Sequence, residues 1–192
     1  MYCVAVTDNE LVTRYLQGDN SALEILISRH KSKVYSTIYM LVKDQYIAED
    51  IFQDTFIKVI DSLRSGSYKE EGKFLPWVLR IGHNLCIDYF RKIKRKPTIV
   101  DSEGNDLLNS IGFLDESEED AMIKRQSSAK LRQLIQQLPE EQMEVLILRH
   151  YSELSFKEIA EMTNVSINTA LGRMRYALMN LRKMIEEKKI SI

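Results

Sequence analysis

Apolar residues recur at close to the helical period along almost all of the 192-residue chain, and this confines the fold to packed helices. Start signals fall where each apolar run begins. Thr7 and Glu10 have the spacing of a capping box ahead of Leu11, Val12, Tyr15 and Leu16. Gly18-Asp19-Asn20 precedes a run carrying Leu23, Leu26, Ile27, Val34, Ile38 and Leu41. A third helix is predicted from Gln45 to Leu63, and a fourth from Pro76, a residue suited to a first helical turn, where an N–H has no partner within the helix. Arg64 to Gly72 is the intervening loop. Further along, helices are predicted from Met122 to Gln137, from Pro139 through Tyr151, and from starts near Ser155 and Ser166. Seven Gly and three Pro in the whole chain are too few for the many turns of a barrel or sandwich. The fold class expected is therefore all-α.

Composition divides this helical chain in two. Between Asp101 and Asp120 lie eight carboxylates and no Lys or Arg, with weak periodicity, which marks an acidic, flexible linker between two small helical domains. Over the whole chain 27 basic and 28 acidic residues nearly balance, so net charge by itself points to no partner. Cys3 and Cys86 lie in unrelated segments without a CxxC spacing, which suggests neither a disulfide framework nor a zinc site. The first residues carry no basic flank, and no apolar stretch approaches the roughly 20 residues that a span requires. A soluble cytoplasmic protein is expected.

Charge is segregated locally. From Lys73 to Lys96 there are seven basic residues against Asp88 alone. On a helix, Val78, Leu79, Ile81, Leu85, Cys86, Tyr89, Phe90 and Ile93 share one arc, while Arg80, Asn84, Arg91, Lys94 and Arg95 lie opposite, with Trp77 and His83 at or beside them. Cations that follow phosphates and a flat ring that stacks on a base are what single-stranded nucleic acid requires. Taken alone, this helix is better read as a solvated basic face with Trp77 half tucked into the core.

The third helix carries a core arc of Ala48, Phe52, Phe56, Val59, Ile60 and Leu63, but its other side mixes Asp50, Gln53, Asp54 and Asp61 with Ile47, Ile51 and Ile57. Isoleucines among carboxylates suit a docking surface for a basic protein, since phosphates would repel the acids; a helix covered on both sides by its own domain would explain them as well. Near the C-terminus, Ser155-Phe156-Lys157-Glu158 has capping-box spacing, Met162-Thr163-Asn164-Val165 forms a short turn, and Ser166 is a new N-cap. With small Ala160 at the crossing, this fits a helix-turn-helix. Ile167, Ala170, Leu171, Met174, Ala177, Leu178, Leu181 and Ile185 cluster on one side of its second helix; Asn168, Thr169, Gly172, Arg173, Arg175, Tyr176, Arg182 and Lys183 face outward, as on a helix that enters the major groove. An antiparallel helical pair is the structural alternative.

At these residues the sequence resembles the extracytoplasmic-function (ECF) sigma factors of bacterial RNA polymerase, built from sigma regions two and four only. Ala48-Glu49-Asp50-Ile51-Phe52-Gln53-Asp54-Thr55-Phe56 is similar to the core-binding part of region two. Phe74 through Ile81, Asn84, and Ile87 through Lys92 resemble its promoter-melting and minus-ten parts. Leu138-Pro139-Glu140-Glu141-Gln142, Leu148-Arg149 and Glu158-Ile159-Ala160-Glu161 resemble region four. The implied domains are residues 1–96 for region two, 97–118 for the linker and 119–192 for region four.

The resemblance implies that Asp50, Gln53, Asp54 and Ile57 bind core polymerase, that Trp77, Arg80 and Asn84 capture minus-ten DNA with Arg91, Lys92 and Arg95 on phosphates, and that Asn168, Thr169, Gly172, Arg173 and Arg175 read the minus-thirty-five element. Implied partners are core RNA polymerase, through the β′ clamp helices and the β subunit, and promoter DNA, with an anti-sigma factor as a further family expectation. No catalysis, cofactor, metal or membrane insertion is implied. Leu171 and Gly172 stand where the family often has Lys and Ser, and Asn164 replaces a frequent Gly in the turn while still tolerating a left-handed backbone. His83 stands where a small residue is common and is read as a surface side chain. A stand-alone helix-turn-helix regulator is the competing reading; such a protein would have no need for an acidic docking helix beside the Trp77–Asn84 face. An enzyme is disfavoured because His30, His83 and His150 are scattered, with no nucleophile–base spacing.

Overall fold

The computed structural model describes residues 6–69, 72–95 and 130–188. These residues contain helices and no strand: α1 (Asp8–Leu16), α2 (Asn20–Val42), α3 (Gln45–Arg64), α4 (Phe74–Arg95), the helical residues 130–136 as α5, α6 (Glu140–His150), α7 (Phe156–Thr163) and α8 (Ile167–Glu187). The predicted linker and the start of the helix expected from Met122 lie outside the described residues. Helices α1–α4 belong to one compact unit and α5–α8 to a second.

Local chemistry sets most of the helix starts. In α1 the Glu10 N–H donates to Thr7 Oγ1 at 3.3 Å and the Thr7 N–H donates back to Glu10 Oε2 at 2.8 Å, which satisfies two donors that the helix leaves open. The Thr7 N–H and the Thr7 hydroxyl, both donating to Glu10 Oε2, hold that carboxyl below its ordinary value. Asp19 caps α2 through the Ser21 N–H at 3.1 Å, and Asp44 caps α3 through the Ile47 N–H at 3.0 Å. Helix α4 starts at Phe74, two residues before the expected start, so Pro76 sits within the first turn, where it still displaces no intrahelical bond.

In the first unit α2 packs on α1, α3 and α4, and α3 packs on α4. Leu11, Leu26, Val34, Ile38, Ala48, Val59, Leu63, Phe74, Val78, Leu79 and Cys86 form its core. Fully burying one such aliphatic side chain contributes about 1.5–3 kcal/mol. Gly82 lies where α4 crosses its neighbours: an added Cβ would stand 3.3 Å from both Ile38 Cδ1 and Thr55 Oγ1. Two sequence expectations change here. His83 is 4% exposed, not a surface residue, because α4 is covered by both α2 and α3 and its buried arc is wider than its apolar stripe. Ile51, expected among exposed isoleucines, is buried for the same reason on α3, together with Thr55, whose hydroxyl donates to the Ile51 carbonyl at 2.7 Å.

In the second unit α8 packs on α6 and α7 around Val145, Ile147, Leu148, Ile159, Ala170 and Ala177. The capping box predicted at Ser155 forms, with the Glu158 N–H on Ser155 Oγ at 3.3 Å and the Ser155 N–H on Glu158 Oε2 at 2.9 Å. Asn164 adopts the left-handed backbone expected of it, φ 57° and ψ 44°, and the Val165 N–H closes the turn on the Ala160 carbonyl at 3.0 Å. Ser166 then caps α8 through the Thr169 N–H at 3.0 Å.

Candidate nucleic-acid interface

Helix α3 presents an exposed row of Tyr46, Asp50, Gln53, Asp54, Ile57 and Asp61, spaced three and four residues apart. All four residues expected to bind polymerase lie on it, and Ile57 is 56% exposed. Tyr46, 79% exposed and one turn before Asp50, extends the row; the same spacing would have revealed it in the sequence. On the other side of α3, Phe52 packs edge-on against Tyr35 and Phe56, with ring centroids 5.8 and 5.0 Å away, which anchors the helix and leaves the row facing outward.

Helix α4 carries the second row. Trp77, Arg80, Asn84, Arg91 and Arg95 follow helical spacing along one face; Arg80, Asn84, Arg91 and Arg95 are exposed, and Lys92 is exposed to one side of them. Asp88 lies within the row, with Arg91 Nη1 3.5 Å from its Oδ1, a solvated contact that leaves the row predominantly cationic. Trp77 is half-buried. Its ring lies 4.3 Å from that of Tyr68 in the loop after α3 and 5.9 Å from that of buried Phe74. Sequence reasoning missed Tyr68, because a loop aromatic carries no periodic signal.

On α8, Asn168, Thr169 and Arg175 are exposed and Gly172 is partly so, with no heavy atom within 4 Å of an added Cβ. Arg173 departs from the outward set: its side chain is only 19% exposed, and its Nη2 lies 3.0 Å from Glu141 Oε2 on α6. Asn180, two turns on, donates to Gln142 on α6 at 2.8 Å, so one flank of α8 is tied to α6 by polar contacts. Ile167, Leu171 and Leu178, expected in the core, are 42–46% exposed. Leu171 and Leu178 line a groove of about 470 Å³ with Phe156, Met174, Arg175 and Met179. Arg149 steadies the edge of that groove, its guanidinium 5.3 Å from the Phe156 ring centroid and donating to the Leu154 carbonyl at 2.8 Å.

A sigma-70 region 2 family model matches residues 26–96, which hold the α3 and α4 rows, and a sigma-70 region 4 model matches residues 128–181, which hold the helix-turn-helix. The chain is 32% identical over 174 residues to the RNA polymerase sigma-H factor of Pseudomonas aeruginosa, covering 86% of this chain and 87% of that protein. It is 30% identical over 177 residues to the ECF RNA polymerase sigma factor SigW of Bacillus subtilis, covering 89% and 92%. The chain belongs to the ECF sigma factors. Two solved structures share the fold of this sigma factor: the sigma factor RpoE from Bartonella quintana, in complex with the anti-sigma factor NepR, at TM-score 0.67, 19% identity and coverage of 85% and 96%, and CnrH, in complex with the cytosolic domain of CnrY, at TM-score 0.64, 20% identity and coverage of 94% and 97%. Among the described residues of the sigma factor no helix is long and apolar enough to cross a membrane.

Proposed function

We propose that the three rows divide the work of a sigma factor: the acidic α3 row binds core polymerase, the α4 row captures melted minus-ten DNA, and the exposed start of α8 reads the minus-thirty-five element. The single observation that carries this reading is the placement of an acidic, Ile57-bearing row and a cationic, Trp77-headed row on adjacent helices of one unit. Carboxylates repel phosphate and attract a basic protein surface, while the cations do the reverse, so the two rows suit different partners.

In the proposed mechanism Asp50, Gln53, Asp54 and Ile57 seat the first unit on the β′ clamp helices. Arg91, Lys92 and Arg95 follow the phosphates, and Trp77, Arg80 and Asn84 take a base that has left the stack. Extrusion costs a few kcal/mol, which stacking and a shaped contact offset. In the second unit Asn168 and Thr169 face base edges, Gly172 permits close approach, and Arg175 reaches phosphate. Arg173 joins them only if DNA draws it from Glu141. The protein works in the cytoplasm without cofactor or catalysis of its own, residues 97–118 link regions two (1–96) and four (119–192), the β subunit completes the core contact, and an anti-sigma factor is a regulating partner. The RpoE–NepR complex supports that last point by kinship of fold.

The test is association of the purified chain with bacterial core RNA polymerase by size exclusion, alongside the folded double variant Asp50→Ala/Asp54→Ala. Wild-type binding with loss in the variant supports the assignment. Tight binding to duplex DNA with no affinity for core would favour a stand-alone regulator.

A further inference from the structure

We propose that Tyr68 is a positioning residue for promoter opening, acting through Trp77; this rests on the assignment of Trp77 to minus-ten DNA. The loop that carries Tyr68 is laced to the end of α3: the Ser67 and Tyr68 N–H groups donate to the Ser62 carbonyl at 3.1 and 3.4 Å, and the Ser65 and Ser67 hydroxyls donate to the same oxygen at 3.2 and 3.1 Å. Gly66, at φ +70°, supplies the left-handed residue that turns the chain back. Tyr68 is thereby held at a fixed place, and its ring meets two others. It lies 4.3 Å from Trp77, tilted by 47°, and 6.1 Å edge-on from Phe74, which is 2% exposed and itself 5.8 Å from the ring of His30.

The indole is thus braced from the core outward, through Phe74 and Tyr68, while it stays partly open on the row that holds Arg80 and Asn84. An unbraced indole on a helix surface samples several rotamers and must be immobilised when a base arrives. Bracing beforehand removes that cost, worth roughly three- to tenfold in the population of the stacked state. Tyr68 therefore acts before the base is bound, by narrowing where Trp77 can be.

Trp77 is the only tryptophan in the chain, so its emission reports this arrangement directly. In the free protein Tyr68→Leu, which fills the loop without a flat ring, is expected to shift the emission to longer wavelength and increase acrylamide quenching, with far-UV ellipticity unchanged; Tyr68→Phe keeps the wild-type spectrum. Holoenzymes are then compared for open-complex formation on a promoter selected from a random-sequence DNA pool. Tyr68→Leu is expected to lower opening three- to tenfold with core binding unchanged, Tyr68→Phe to restore it, and Tyr68→Leu to add nothing in a Trp77→Ala background. If Trp77→Ala opens the promoter as well as wild type, the underlying assignment of Trp77 fails. If Trp77→Ala impairs opening but Tyr68→Leu opens normally, or its loss adds in full to that of Trp77→Ala, the proposal for Tyr68 is overturned.

Discussion

Gly172 sets two effects against each other that a single methyl group separates. The residue lies inside α8, where glycine disfavours the helix by about 1 kcal/mol relative to alanine, and an added Cβ meets no heavy atom within 4 Å. No steric penalty offsets the propensity gain, so Gly172→Ala is expected to stabilise the second unit by about 1 kcal/mol. For a unit of this size that raises the thermal midpoint by about 4–8 °C. The two units can be followed separately, because Trp77, the sole tryptophan, lies in the first. The variant should move the far-UV ellipticity transition of α5–α8 and leave the tryptophan fluorescence transition in place. The same methyl group stands one turn from Asn168, on the side proposed to face DNA, and holoenzyme affinity for a minus-thirty-five duplex should fall. A loss of stability would refute the propensity argument, and unchanged DNA affinity would refute close approach at this residue.

Three other outcomes are expected. Glu141→Gln removes the carboxylate beside Arg173; since Glu141 is 70% exposed, the pair contributes no more than about 1 kcal/mol to folding, whereas promoter affinity should rise a few-fold as Arg173 is released to phosphate. An unchanged titration by fluorescence anisotropy would show that Arg173 does not reach DNA. Asn164 has φ 57°, so Asn164→Gly should be close to neutral and Asn164→Ala should cost the second unit about 1 kcal/mol in urea denaturation; equal stability of the two variants would contradict the left-handed cap. Burial pushes the Cys86 thiol up to about 12. At pH 8 only roughly one thiol in ten thousand is then ionised in the folded chain, against about a quarter in the unfolded one. In a Cys3→Ser background alkylation should therefore wait on unfolding, and prompt labelling of the native protein would exclude this burial.

The helix starts were legible because they are decided within a few residues. Thr7, Asp19, Ser155 and Ser166 each find the backbone N–H they cap two or three positions on, and Asn164 takes the left-handed turn through its own backbone. The α3 row was legible in large part because Asp50, Gln53, Asp54 and Ile57 lie at helical spacing. Less legible were residues whose surroundings come from elsewhere in the chain. Arg173 reads as outward on a helical wheel, yet Glu141, 32 positions earlier, holds it on α6. Tyr68 belongs to no periodic pattern, and its closeness to Trp77 arises only when the loop folds back on Ser62.

Sequence alone determined the class of fold, the two-part organisation and which residues share a helix face, because each follows from periodicity, capping chemistry and local charge. How much of each face is covered was decided by tertiary structure. Helices α3 and α4 pack against each other and against α2, so Ile51, Thr55 and His83 are buried beyond their apolar stripes. Helix α8 is covered by α6 and α7 only along the narrow arc of Ala170, Ala177 and Leu181, so Ile167, Leu171 and Leu178 on the flank of that arc remain exposed despite their apolar character. A helical wheel fixes the direction of each side chain; burial depends also on how many helices meet it and from which side.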